Sequence, residues 1–175
     1  TNSGVEAVEN AIKIARQATG KQGIICFTGG FHGRTLLGMT LTSKTCYKIG
    51  CGPFAPEVYR IPFPDYYKRN DGLKMSEFVQ RELNAFESYL HNIVDASNVA
   101  AIIIELVQGE GGFVVAPKEY VQGLYTICKA KGILFIVDEV QTGFGRTGKW
   151  SAYEHYGIVP DISTWAKSMG SGMPI

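Results

Sequence analysis

This sequence has no excess of charge of either sign: 17 Lys and Arg stand against 16 Asp and Glu, a formal net charge of +1. Such a balance gives no electrostatic case for nucleic acid or an anionic membrane as partner. Long apolar runs are also absent. The longest purely aliphatic stretch, Val99 to Ile104, is far short of a bilayer span, and no N-terminal signal pattern precedes the first element. Cysteine and histidine are scarce, at four and three residues. Cys26, Cys46, Cys51 and Cys128 form no C-x-x-C and have no ligand spacing with the histidines, so no metal site is expected. Two of them lie in apolar patterns, where Cys acts as a small hydrophobe. All four read as reduced thiols of a cytoplasmic protein, with a Cys46–Cys51 disulfide as the lesser alternative. An initiator methionine is missing too, and the chain opens directly on a helix cap, which reads as a segment of a longer protein.

What is present is ordinary in bulk: 175 residues, 45% hydrophobic and 19% charged, enough for one domain with a substantial core. Ser3 and Glu6 have capping-box spacing, and Val5, Val8, Ile12 and Ala15 make one helical face that ends near Gly20 and Gly23. Ile24–Phe27 reads as a buried strand, followed by a Gly-rich turn over 29–35 and a short helix. Residues 43–72 are broken by Pro53, Pro56, Pro62 and Pro64, with a short strand over 57–61. A helix is expected over 75–89 and a strand buried on both faces over 99–106. Pro117 suits the first turn of a helix running to Lys131, capped by Gly132. Then come a strand over 133–138, a helix over 150–156 and a strand over 161–166. Buried strands alternating with helices predict an α/β fold, a mainly parallel sheet covered on both faces as a three-layer α/β/α sandwich. Ligands of such sheets collect at the carboxyl ends of the strands.

The chemistry-bearing residues cluster at those ends. Lys167 follows the last expected strand, and Asp138 closes the strand before it. A lysine amine and a buried carboxylate are what pyridoxal phosphate (PLP) asks for: the amine forms a Schiff base with the aldehyde, and the carboxylate keeps the ring nitrogen protonated. The start of the first helix, Ser3, Gly4 and Val5, offers free amides and a helix dipole to a phosphate. Phe31 and Val140 are candidates for the two ring faces, and Gln141 for the phenolic oxygen. Read alone, each of these residues fits a cap, a core side chain or a surface charge. Two other motifs carry less weight. Gly143–Gly148 matches G-x-G-x-x-G, but a dinucleotide site wants its first glycine directly after the strand and an acid about 20 residues past the motif; here Glu139–Thr142 intervene, and Asp161 comes too soon. Asp138 and Glu139, or Glu105 and Glu110, suggest a glycosidase pair or a metal site, but no histidine accompanies them at ligand spacing.

These motifs together identify a resemblance. Asn2-Ser-Gly-Val-Glu-Ala-Val-Glu-Asn-Ala11, Phe31-His-Gly-Arg-Thr35, Gly52-Pro-Phe-Ala-Pro-Glu57, Glu105-Leu-Val-Gln-Gly-Glu-Gly-Gly112, Asp138-Glu-Val-Gln141, Gly145-Arg-Thr-Gly148 and Ala166-Lys-Ser168 resemble the class III (omega-amino-acid) aminotransferases of fold type I. The likeness covers essentially the whole chain and leans toward the bacterial 4-aminobutyrate group. It implies that His32 lies beside the PLP ring and that Arg34 binds the distal carboxylate of 4-aminobutyrate or 2-oxoglutarate. It implies that Glu105 is a substrate-binding residue near the cofactor-facing pocket, and that Glu110 switches between substrates by pairing with an arginine beyond Ile175. It further implies a hydroxyl contributed to the phosphate site by a partner subunit, and a homodimer or dimer of dimers. Leu106 departs from the family, which usually has proline there.

The resemblance makes residues 1–175 part of the PLP-binding large domain, without an N-terminal segment or a C-terminal small domain, and with a sheet edge left bare for self-association. Its implied function is transfer of an amino group from an omega-amino acid, 4-aminobutyrate first, to 2-oxoglutarate. Ornithine- or acetylornithine-type aminotransferases and a related amino-acid racemase are the alternatives within the class. A non-catalytic fragment is the alternative outside it.

Overall fold

The computed structural model describes residues 1–68 and 72–173; residues 69–71, within the stretch expected to be irregular, lie outside the described residues. Five parallel strands form the central sheet: β1 (Gly23–Phe27), β2 (Val58–Ile61), β3 (Val99–Ile104), β6 (Leu134–Asp138) and β7 (Ile162–Thr164), in the order β2-β1-β3-β6-β7. Helix α1 (Gly4–Thr19), the short α2 (Leu36–Leu41), α3 (Met75–Asn92), α4 (Lys118–Ala130) and α5 (Tyr153–Tyr156) complete the layers. The three-layer α/β expectation is borne out.

The pleat explains the sandwich. In β3, Ala101 and Ile103 point into one core with Val8, Ile12 and Ala15 of α1, while Ile102 and Ile104 point into the other with Phe78 of α3 and Leu124 of α4. β1 and β6 divide in the same way, Ile24, Cys26 and Ile136 on the α1 side and Ile25, Phe27, Phe135 and Val137 on the other. All four thiols are free, and burial pushes the Cys26 thiol up to about 11, which keeps it protonated.

Polar side chains move several expected boundaries. At α1, Ser3 caps as expected, but the Glu6 carboxylate reaches back to the amide of Asn2, one residue earlier than a capping box requires. The strand expected over 99–106 ends at Ile104, and a two-stranded antiparallel hairpin follows, β4 (Val107–Gln108) with β5 (Val114–Val115). The helix expected over 150–156 begins at Tyr153, because the buried Glu139 carboxylate accepts the Tyr153 amide while Trp150 stays exposed against Phe144. The strand expected from Asp161 starts at Ile162; the Asp161 carboxylate instead accepts the Phe135 amide and pairs with Lys129. Pro117 is the N-cap of α4 rather than its first residue, and Lys131 is its C-cap, followed by Gly132 at φ 63.

Arg60 of β2 anchors the loops that reach the site. Its guanidinium donates to the carbonyls of Phe27, Thr40, Leu41 and Thr42 at 2.6–3.2 Å, satisfying the open end of α2. Thr42 in turn holds His32, as described below. Arg60→Met is expected to lower stability by about 3 kcal/mol, because it strands several half-buried carbonyls. Urea denaturation measures this; a change below about 1 kcal/mol would mean water replaces the guanidinium.

Candidate active site

A cavity of about 930 Å³ opens at the carboxyl end of the sheet. The start of α1 supplies Ser3, Gly4 and Val5; the loop after β1 supplies Phe31, His32 and Arg34; the end of β6 supplies Asp138, Val140 and Gln141; the segment after β7 supplies Lys167. Four chain segments far apart in sequence thus converge on one space.

The first helix meets the cavity through close packing. A Cβ on Gly4 would lie 2.9 Å from Val140 Cγ1 and 3.3 Å from the Ala166 Cβ, so glycine lets α1 seat against the loops after β6 and β7. Ser3 takes the amides of Glu6 and Ala7 with its hydroxyl and carbonyl, and the first-turn amides of Gly4 and Val5 face an otherwise unsatisfied helix end. Gly33, at φ 111, is required where the Val5 side chain presses on the turn; a Cβ there would overlap Val5 Cγ2 at 2.1 Å.

Asp138 is buried and already well served. Its Oδ1 accepts the Thr164 hydroxyl at 2.9 Å and the Val140 amide at 3.1 Å, and its Oδ2 lies 2.8 Å from His32 Nδ1. An ionised carboxylate can only accept, so Nδ1 of His32 is the donor of this pair. The carboxylate offers roughly four acceptor positions, and three are filled, which leaves one for a donor within the cavity. His32 is held by its own amide, which donates to Thr42 Oγ1 at 2.9 Å, while that hydroxyl donates to the Gly33 carbonyl at 2.8 Å.

Phe31 borders the cavity with its ring packed edge-on to Tyr47, centroids 5.3 Å apart. Gln141 accepts from the Lys167 ammonium. Lys167 opens a single turn of 3-10 helix at φ 50, in the left-handed region that side chains disfavour, and it is exposed. Arg34 is exposed at the cavity and has no hydrogen-bonding or ionic partner among the described residues.

Two of the expected substrate residues lie outside this lining. Glu105 is buried at the end of β3, accepting the Phe31 amide at 2.8 Å and the Gly109 amide at 3.4 Å. Burial pushes its carboxyl up to about 7; His32 and the two amide bonds oppose the rise and Asp138 adds to it. Glu110 is exposed, 3.5 Å from Lys44 Nζ and 3.2 Å from the Tyr47 hydroxyl. The competing motifs resolve as structure. A Cβ on Gly143 would overlap the Trp165 ring at 2.4 Å, and no helix follows the Gly143 loop until α5. Glu139 spends its oxygens on Thr142 and the Tyr153 amide. No group of three or more His, Cys, Asp or Glu among the described residues can hold a metal.

The Glu105 shift makes a pH prediction. Its folded pKa lies above its ordinary value of 4.5, so the folded state holds this proton more tightly than the unfolded state. Stability from this group is present at low pH and is lost as pH rises from 4.5 to about 7, by about 3 kcal/mol. Glu105→Gln is expected to remove that dependence. Denaturation midpoints at pH 5 and pH 8 measure it; parallel pH profiles for the two proteins would refute it.

Sequence reasoning missed the residues that hold these groups. Thr164 reaches Asp138 because β7 pairs in parallel with β6 in the register Asp138↔Thr164, a placement visible only once the strands are paired. Trp165, Met169 and Met173 also border the cavity and carry no pattern that marks them beforehand.

Residues 1–175 match the aminotransferase class-III family. The chain is 49% identical over 175 residues to a probable 4-aminobutyrate aminotransferase of Bacillus subtilis (strain 168), covering 99% of this chain and 40% of that protein. It is 45% identical over 174 residues to a 5-aminovalerate aminotransferase of Pseudomonas putida, covering 99% and 39%. Among solved structures, a thermostable (S)-enantioselective omega-transaminase from Thermomicrobium roseum superposes with a TM-score of 0.94 at 36% identity, over 99% of this chain and 40% of that one. An amine transaminase from an uncultivated Pseudomonas species, in its PLP-bound form, gives 0.92 at 30%, over 99% and 41%. The chain belongs to the class-III aminotransferase family, whose members use pyridoxal phosphate. It spans about 40% of the length of the curated relatives it matches. No helix among the described residues is long and apolar enough to cross a membrane.

Proposed function

We propose that the protein holding this chain is a PLP-dependent aminotransferase of omega-amino acids, with 4-aminobutyrate as donor and 2-oxoglutarate as acceptor. Residues 1–175 are part of its PLP-binding domain. The observation that carries the reading is the convergence of the α1 amides, Phe31, Val140, Asp138 and Lys167 on one cavity. The residues present fit the cofactor: a helix start for its phosphate, apolar side chains for its faces, and a buried carboxylate with one acceptor position unfilled. When bound, the cofactor supplies an aldehyde for the amino group and an electron-withdrawing ring.

The chain's own residues do the rest. Ser3, Gly4 and Val5 bind the phosphate. Asp138 holds a proton at the ring nitrogen, steadied by Thr164 and His32. Gln141 orients the Lys167 amine, which carries the cofactor and moves the substrate's proton. Arg34, free of other partners among the described residues, meets a carboxylate remote from the reacting amine. Glu110, held by Lys44 and Tyr47 in this chain, is available to exchange that pairing for another cation.

A second donor, 5-aminovalerate, is favoured by the relative from Pseudomonas putida, which acts on it by name. Incubating the full-length protein with each donor and 2-oxoglutarate decides the matter: glutamate formation with 4-aminobutyrate is expected. Inversion of a chiral amino acid without consumption of the oxo acid would replace the reading with racemisation. The 175-residue chain alone, with Lys167 exposed, is expected to form no measurable glutamate; turnover by the isolated chain would show that these residues suffice.

A further inference from the structure

In a parallel sheet ordered β2-β1-β3-β6-β7, the strand order reverses between β1 and β3, and the crevice at their carboxyl ends is where a ligand ordinarily enters. Here the protein fills that crevice with its own side chains. Glu105, the first residue after β3, is 5% exposed and accepts the amide of Phe31 from the loop after β1. Its other oxygen accepts the amide of Gly109. Gln108, 3% exposed, donates to the Thr28 carbonyl at 2.8 Å, and a Cβ on either Gly29 or Gly111 would meet its Oε1 at 2.5 Å. With the crevice closed, the cavity is displaced toward β6 and β7, and Glu105 does not line it.

We propose that Glu105 is a positioning residue rather than a substrate contact: its buried carboxylate ties the Phe31 and Gly109 amides together and so sets two walls of the cavity at once. The first wall is the Phe31 ring and its neighbour His32, which meets Asp138 at 2.8 Å. The second is Gln141, because Gly109 packs on it so closely that a Cβ there would lie 3.0 Å from Gln141 Cγ, and Gln141 accepts from Lys167. A single buried acceptor thus reaches the ring face on one side and the amine on the other through main-chain amides. The part of this inference that concerns the cofactor rests on the proposed function; the part that concerns the two amides does not.

The test compares Glu105→Leu, which keeps the volume and removes both acceptors, with Glu105→Gln, which keeps one acceptor oxygen. Two readings are taken on the full-length protein in the absence of substrate: amide hydrogen exchange at Phe31, Gly109 and, as a control, Ile136 of β6; and the affinity and visible circular dichroism of bound PLP. In the Leu variant, Phe31 and Gly109 should exchange about tenfold faster or more with Ile136 unchanged, and PLP should bind about tenfold more weakly with altered dichroism. The Gln variant should keep the shorter Phe31 bond and stay within about threefold of the unsubstituted protein for PLP. A Leu variant that binds PLP normally and, in a separate steady-state assay with substrate, shows only a raised KM for the amino donor would overturn the proposal in favour of substrate contact. A Gln variant as impaired as Leu would overturn it in favour of the charge. Should the Leu variant not fold, exchange in the Gln variant decides: faster exchange at Gly109 alone supports the proposal, and no change at either amide refutes it. Absence of PLP binding by the unsubstituted protein would sink the cofactor reading and leave the exchange data to judge Glu105 alone.

Discussion

Lys167→Ala is expected to abolish both turnover and the covalent capture of PLP. Among the described residues, Lys167 is the lysine that lines the cavity, and the proposed chemistry asks one amine both to carry the cofactor and to move a proton. Removing it takes away two functions, so activity should fall by at least about 10⁴-fold, as when a nucleophile and its proton carrier are lost together. The fold should hardly notice. The side chain is exposed, its recorded partner is the Gln141 oxygen, and substitutions of that kind usually change stability by about 0.5 kcal/mol or less. Non-covalent PLP binding should survive in part, because the α1 amides and Asp138 are untouched. Borohydride treatment followed by peptide mapping separates the possibilities: the unsubstituted protein should retain the cofactor on the peptide containing Lys167, and the variant should retain none. Cofactor fixed at a single other site in the variant would assign the role to a different lysine.

Asp138 was legible in the sequence because it closes an apolar run, and Lys167 because it follows the last expected strand, so both fall at the carboxyl end of the sheet. The strands themselves were legible because β1, β3 and β6 are buried on both faces and read as unbroken apolar runs. Boundaries were less so wherever a polar side chain bonds a distant amide, as Glu139 does with Tyr153 and Asp161 with Phe135. Such bonds span 14 and 26 residues and leave no periodic trace. The supports of the site were hidden for the same reason. Thr164 is one more β-branched residue until pairing sets it opposite Asp138, and Arg60 is one more surface-type charge until β2 carries it under the end of α2. Glu105 was marked by its motif, but its burial and its two amide partners depend on the order of β1 and β3 in the sheet. Chemistry at strand ends is local and readable; the groups that aim it are set by topology.

Asp138→Asn separates charge from shape at the centre of the site. Asparagine is nearly isosteric, and its oxygen can still accept the Thr164 hydroxyl and the Val140 amide. Its NH2 group would then face His32 Nδ1, which can accept that hydrogen bond if the imidazole moves its proton to Nε2. The fold therefore has a way to tolerate the change, and the thermal midpoint should drop only slightly. The cavity feels a larger difference. The acceptor position left open on Oδ2 becomes an N–H donor, and the negative charge that favours a protonated ring nitrogen disappears. Turnover should fall by about 10³-fold, the scale of losing a preorganised electrostatic partner, while PLP is still bound through its phosphate. Steady-state kinetics, a melting curve and a PLP titration on the same variant read the three effects apart. Turnover within a few-fold of the unsubstituted protein would mean that another group holds the ring nitrogen. A collapse of the melting curve would mean that the His32–Asp138–Thr164 cluster matters chiefly to the fold, because its three members cannot exchange donors and acceptors as freely as their geometry suggests.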